Sequence, residues 1–199
     1  MAPIDPELLF ETPRLLLEPL NVGHAIALFE ALQAPELYTY IPQDPPSSLE
    51  ALKTRYTALA SRRSPDGQEG WLNWALNLRA TGAYVGTVQA TVRADQTALL
   101  AYMIFVPFWR QGYARESCAR VLAHLFGDYY VSQVAAEIDT RNTSSIQLVE
   151  ALGFTRVATT PGADFFKGAI SDEYRYELDA PVVQAANDPP QCNHPSGAT

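Results

Sequence analysis

The chain has little with which to hold a metal, cross-link itself or grip a nucleic acid. Its 199 residues include two cysteines, Cys118 and Cys192, and three histidines, His24, His124 and His194. None of them stands at a spacing that metal ligands use, so no metal site is expected. Cys118 falls on an apolar helix stripe and Cys192 in a polar terminal stretch, which makes a structural disulfide unexpected and suits a reducing cytoplasm. No run reaches about 18 consecutive apolar residues, and the first residues carry neither a basic region nor an apolar core of signal length. A membrane span and export are therefore not expected. Lys and Arg number 14 against 22 Asp and Glu, a net charge of -8. That balance argues against nucleic acid as a partner, because phosphate backbones are held mainly by Lys and Arg. It leans toward a cationic one. Also missing are the Gly-x-Gly-x-x-Gly of dinucleotide-binding turns and the Gly-x-Ser-x-Gly of serine nucleophile elbows.

What is present is enough apolar material, 47% of the chain, for one domain with a real core. That domain is expected over residues 1–179, followed by a mobile tail, 180–199, rich in Pro, Asn and Gln. Residues 10–19 read as a first strand interrupted by Arg14 and Glu18. Helical stretches follow at about 23–32 and 47–61. Strands at 72–78, 84–92 and 97–106, with turns at Thr81-Gly82 and Ala94-Asp95, make an antiparallel meander. Further strands are expected at 134–138, from 153 to about 159, and at 171–178, with a turn at Pro161-Gly162.

Two junctions carry chemistry. The run 99–106 is apolar on both alternating faces, as a strand in the middle of a sheet should be. Trp109-Arg110-Gln111-Gly112-Tyr113-Ala114 follows it, and then Ala114, Cys118, Val121, Leu122 and Leu125 recur at helical spacing. Gly112 occupies the cap position, so the first N–H groups of that helix lack a side-chain acceptor and are free for an anion. The second junction runs from a strand through Asp139-Thr140-Arg141-Asn142-Thr143-Ser144-Ser145 into a helix that Gly153-Phe154 ends.

Taken in order, these two motifs resemble the GNAT superfamily of acyl-CoA-dependent N-acetyltransferases. They look closest to its RimJ/RimL branch, whose usual first strand is similar to Glu11-Thr-Pro-Arg-Leu-Leu-Leu17; the likeness covers roughly residues 10–178. The resemblance implies a mixed α/β fold: a mostly antiparallel twisted sheet of 6–7 strands, a splayed parallel pair and flanking helices. It implies acetyl-CoA as cosubstrate and no metal, with an acceptor that is an amine-bearing small molecule or a peptide N-terminus. The protein would act as a monomer or homodimer.

By that resemblance, the turn from Trp109 through Arg110, Gln111, Gly112, Tyr113 and Ala114 would take the diphosphate, with Arg110 and Arg115 adding charge. Main-chain groups of Met103, Ile104 and Phe105 would pair with the pantetheine arm, and Asn142 and Ser145 would approach the thioester. Tyr38, Tyr40, Trp74 and Glu137 are candidates for the acceptor pocket. The chain departs from the superfamily at Trp109, where Arg or Gln is commoner, at Val149, where many members have a proton-donating Tyr, and at Leu99, where several have a Glu base. In the branch, Ser145 would serve as donor to sulfur and Asp164 would hold a water that deprotonates the amine. A non-catalytic acyl-CoA-binding module of the same fold is the competing expectation.

Overall fold

The computed structural model describes residues 7–181. Its strands in chain order are β1 (Phe10–Glu11), β2 (Leu15–Pro19), β3 (Glu69–Leu78), β4 (Tyr84–Arg93), β5 (Thr97–Ile104), β6 (Gln133–Asp139), β7 (Thr155–Phe166) and β8 (Ala169–Asp179). The helices are α1 (His24–Leu28), α2 (Leu49–Leu59), α3 (Tyr113–Gly127) and α4 (Thr143–Ala151). All eight strands join one sheet in the order β1-β2-β3-β4-β5-β6-β8-β7. Every neighbouring pair is antiparallel except β5 and β6, which are parallel. The mixed α/β fold with one parallel pair is thus the one the motifs imply, with one strand more than the 6–7 expected. The expected tail lies, from residue 182 onward, outside the described residues.

Alternation along the strands splits the core in two. Leu15, Leu17, Leu72, Trp74 and Leu76 face α3 and pack on Val121 and Leu125. Ala75 and Phe105 face the other way, onto Leu28 of α1 and Leu52 and Tyr56 of α2. The side chain of Ser48 caps α2, accepting from the Ala51 N–H at 3.1 Å.

Two expected elements differ. Residues 10–19 are not one strand but a tight antiparallel pair, Phe10 opposite Leu17. Pro13 has no N–H for a ladder, and the Thr12 hydroxyl closes the turn by accepting from the Leu15 N–H at 2.9 Å. Pro161-Gly162 does not end its strand either. β7 runs on to Phe166 through a register irregularity between Thr160 and Asp164, where the Gly162 N–H donates to Asp172 Oδ1 at 2.8 Å. The turn falls instead at Lys167-Gly168, whose φ values of 51° and 75° meet the demand of a type I′ hairpin for positive φ at both central positions.

The parallel pair positions everything that follows. β5 and β6 are in register only at Thr97, Ala98 and Leu99, opposite Gln133, Val134 and Ala135. Beyond that the strands part, so the second half of β5 and the second half of β6 bound a wedge within the sheet. β4 approaches β5 closely on the other side. A Cβ at Gly86 would sit 2.1 Å from the Met103 carbonyl oxygen, which only glycine avoids.

Candidate active site

α3 opens at the mouth of the wedge. Its cap, Gly112, has φ 82°, and no side chain accepts from the first-turn N–H groups. Arg110 also holds a positive φ, 61°, although it has a Cβ. Two left-handed residues within three positions turn successive N–H groups into one concavity, the geometry that binds anions. The dipole of the 15-residue helix adds to it. Arg110 and Arg115 are exposed at this end. The exposed Gln111 side chain folds back along the turn, donating to the Pro107 carbonyl at 3.1 Å.

Along the wedge, the Phe105 N–H donates to the Val85 carbonyl at 2.8 Å, across to β4. Ladder alternation then spends the main-chain groups of Met103 and Phe105 on β4 and turns those of Tyr102 and Ile104 toward the gap. This corrects the expectation that Met103, Ile104 and Phe105 share that role: of the three, Ile104 faces the gap. Its carbonyl accepts from the Trp109 indole N–H at 2.6 Å, which lays the half-exposed Trp109 over the wedge mouth. Tyr102 went unnoticed in the sequence because it looks like another apolar strand residue. Its hydroxyl donates to the Ser145 carbonyl at 3.4 Å, spanning from β5 to the first turn of α4, and burial raises its pKa.

On the far side, the Asn142 Oδ1 accepts from the Ser145 N–H at 3.1 Å and caps α4. Its amide nitrogen makes no hydrogen bond to the described residues and is open to a ligand. The turn before it is pinned by buried Asp139, which accepts from Arg141 Nε at 2.9 Å, the Arg141 N–H at 2.8 Å and Ser171 Oγ at 2.6 Å. Arg141 foremost lowers the Asp139 pKa to about 2.

β6 and β8 present an acidic face on the side of α1 and α2. Glu137 stands opposite Arg175, Asp139 opposite Glu173, and Asp164 opposite Ser171, so these side chains share one face. Arg175 is paired with Glu137 at 2.8 Å and Glu177 at 2.7 Å. Glu173 has no ion pair among the described residues, and its pKa is raised, by burial first and by the charges of Glu137 and Asp164 next. The Asp164 carboxylate is exposed and accepts its neighbour's N–H, that of Phe165, at 2.7 Å. Glu173 was missed because nothing in a strand's alternation marks which carboxylate lacks a partner.

The β7–β8 hairpin reaches over this face. Lys167 Nζ donates to the carbonyls of Ile41 and Gln43 at 2.8 and 3.0 Å, so the segment just after Tyr40 meets the hairpin tip. Tyr40 is exposed on that segment. Two other aromatics expected in the pocket are elsewhere. Tyr38 is buried with its hydroxyl on the Leu32 carbonyl, and Trp74 is 1% exposed in the core beside Phe10 and His124. The even-numbered positions of β3 face α3, which takes Trp74 away from the acidic face. His24 is likewise structural: its Nδ1 accepts from the Asn21 N–H at 3.1 Å, which leaves Nε2–H to donate to Glu18 at 2.9 Å.

An eight-stranded sheet opened at one parallel pair, with an uncapped helix N-terminus at the opening, is a mixed α/β fold with a wedge fit to seat the anionic end of a long ligand. A family model for the acetyltransferase (GNAT) domain matches residues 14–155, and the chain belongs to that family. It is 25% identical over 176 residues to the uncharacterized N-acetyltransferase YoaA of Bacillus subtilis, covering 87% of this chain and 97% of the relative. Among solved structures it is similar to RimL, a ribosomal-protein alpha-N-acetyltransferase solved with coenzyme A, at TM-score 0.77 and 15% identity, over 86% of this chain and 98% of that one. It is similar in fold to a ribosomal-protein alanine acetyltransferase from Vibrio fischeri, at TM-score 0.77 and 14% identity, over 89% and 100%. Among the described residues no helix is long and apolar enough to cross a membrane, and no cluster of metal-binding side chains occurs.

Proposed function

We propose that this protein moves an acetyl group from acetyl-CoA to a primary amine, on a small molecule or a peptide N-terminus, in the manner of the RimJ/RimL branch. The observation that carries this reading is the three-rung parallel ladder ending beside an uncapped helix N-terminus. The residues fit the cofactor. Gly112, with no side chain beside the first-turn N–H groups, lets a diphosphate approach the main chain, and the Ile104 N–H and the main-chain groups of Tyr102 are offered to an extended arm, as a strand would.

When bound, acetyl-CoA supplies an acetyl group activated as a thioester. The chain's own residues position and deprotonate. Backbone N–H groups from Arg110 to Ala114, with Arg110 and Arg115, hold the anionic end. Asn142 and Ser145 would meet the thioester end of the cofactor, the Ser145 hydroxyl donating a hydrogen bond to the leaving sulfur, which takes up the proton the amine nitrogen sheds on becoming an amide. The acidic face of Glu137, Glu173 and Asp164 attracts the cationic acceptor beside Tyr40. Asp164, acting through a water, takes the ammonium proton so that the neutral amine can attack. This division of labour does without a Tyr at Val149 or a Glu at Leu99.

Two experiments test the reading. Calorimetry with coenzyme A should give a saturable heat that Gly112→Val abolishes, because a β-branched residue at φ 82° distorts the turn and blocks the anion. Free-thiol release with a panel of amines and peptides should show turnover that Asp164→Ala and Ser145→Ala each reduce by about 10² to 10⁴. Tight coenzyme binding with no turnover on any acceptor would instead support a non-catalytic acyl-CoA-binding module.

A further inference from the structure

The turn between β1 and β2 reaches across the sheet to the start of α3 and converges there on one carboxylate. Glu116, in the first turn of α3, accepts from the Thr12 hydroxyl at 2.6 Å, from the Arg14 N–H at 2.9 Å and from Arg14 Nε at 2.6 Å. The same guanidinium donates from Nη1 to the Gln111 carbonyl at 2.9 Å and lies over the Tyr113 ring, 4.5 Å from its centroid. One arginine therefore touches Gln111 and Tyr113 in the turn that would hold the anion and Glu116 in the helix just beyond it. Its remaining nitrogen, Nη2, lies 3.3 Å from where a Cβ would stand on Gly112. No partner among the described residues takes that nitrogen.

A carboxylate at a helix N-terminus complements the dipole but repels an incoming phosphate. Glu116 is kept ionised: burial works to raise its pKa, and the hydrogen bonds from Thr12 and Arg14 outweigh burial and hold it low. Arg14 neutralises that charge and leaves its own free N–H groups at the bare surface of Gly112. We propose that Arg14 completes the diphosphate seat: it fixes the 110–114 turn through Glu116 and Gln111 and turns Nη2 to the anion. This rests on the coenzyme reading above and adds to it a residue almost a hundred positions upstream of the turn. Fork geometry matters here, since a lysine offers a point charge and cannot serve Glu116, the Gln111 carbonyl and an anion together.

The test is calorimetric and needs no acceptor. Coenzyme A is titrated into the wild type, Arg14→Ala, Arg14→Lys and Arg79→Ala. Arg79 is the control, because it donates to the Thr12 carbonyl at 2.9 Å and pairs with Glu11, bracing the same turn without facing Gly112. The expected result is affinity lowered about 10 to 100-fold in Arg14→Ala, as for a lost charge-assisted contact. Arg14→Lys should recover part of that loss, and Arg79→Ala should stay within about twofold of wild type, with circular dichroism confirming a folded chain in each case. Coenzyme affinity unchanged in Arg14→Ala, or lowered equally in Arg79→Ala, would overturn the assignment. A wild type that gives no heat at all would overturn the coenzyme reading and this inference together.

Discussion

Asparagine in place of Asp139 removes one negative charge from a buried site at which three groups donate. The Asp139 pKa, lowered from 3.8 to about 2 chiefly by the Arg141 guanidinium, corresponds to about 2 kcal/mol of stability at neutral pH. The site decides how far that figure applies: the Asp139 side chain is 2% exposed, so solvent screens it little, while Arg141 at 46% regains water when its partner is lost. Breaking the pair therefore costs less than the loss of a fully buried ion pair would. For a domain of this size the melting temperature should fall by about 4 to 8 °C at pH 7. The sign with pH follows from the lowered value. The contribution is complete above the unfolded pKa of about 4 and fades as pH falls through about 2, so about half of the gap between wild type and Asp139→Asn should remain at pH 3. Thermal melts by circular dichroism at pH 7, 5, 4, 3 and 2.5 measure that gap. A gap constant across the whole series would refute the assignment of this energy to an ionised Asp139.

Other perturbations have equally definite outcomes. Gly86→Ala should destabilise the fold by about 1 to 3 kcal/mol in urea melts, since its Cβ cannot coexist with the Met103 carbonyl oxygen unless β4 and β5 move apart. In a Cys192→Ser background, Cys118 should react with a thiol reagent only after unfolding, because it is fully buried and burial pushes its pKa up to about 12. Lys167→Ala should change overall stability by no more than about 0.5 kcal/mol, as surface substitutions do. It should nonetheless speed hydrogen exchange at residues 41–44, where Lys167 ties the main chain to the β7–β8 hairpin.

The sequence showed clearly wherever one local rule acted alone. Strand-like runs between turn signals located β3, β4, β5 and β6, and a glycine before or after a helical stripe marked where α3 begins and α4 ends. The mouth of the wedge was visible for the same reason: Gly112 stands where a cap should be. Failures occurred where two rules competed. Pro161-Gly162 is an ordinary turn signal, yet the Asp172 carboxylate ten residues on holds it inside β7 as a bulge. For Trp74, residue type is silent where the pairing of β3 with β2 and β4 fixes the face, and for Tyr38 the Leu32 carbonyl six residues back draws the hydroxyl inward. Arg14 and Tyr102 acquire their roles from partners 43 or more positions away, Arg14 from Gln111 and Glu116 and Tyr102 from Ser145, and no local pattern encodes such distances.

The short parallel ladder has a consequence for how the molecule holds together. Strands β1 to β5 form one antiparallel block and β6 to β8 another, and across the sheet they share only three paired positions. A guest lying along β5 would act as a removable strand, replacing solvent at main-chain groups that the fold leaves bare. Filling the gap should therefore slow amide exchange in both blocks at once, so that the protein is most rigid while loaded and loosens along that seam each time the spent carrier departs.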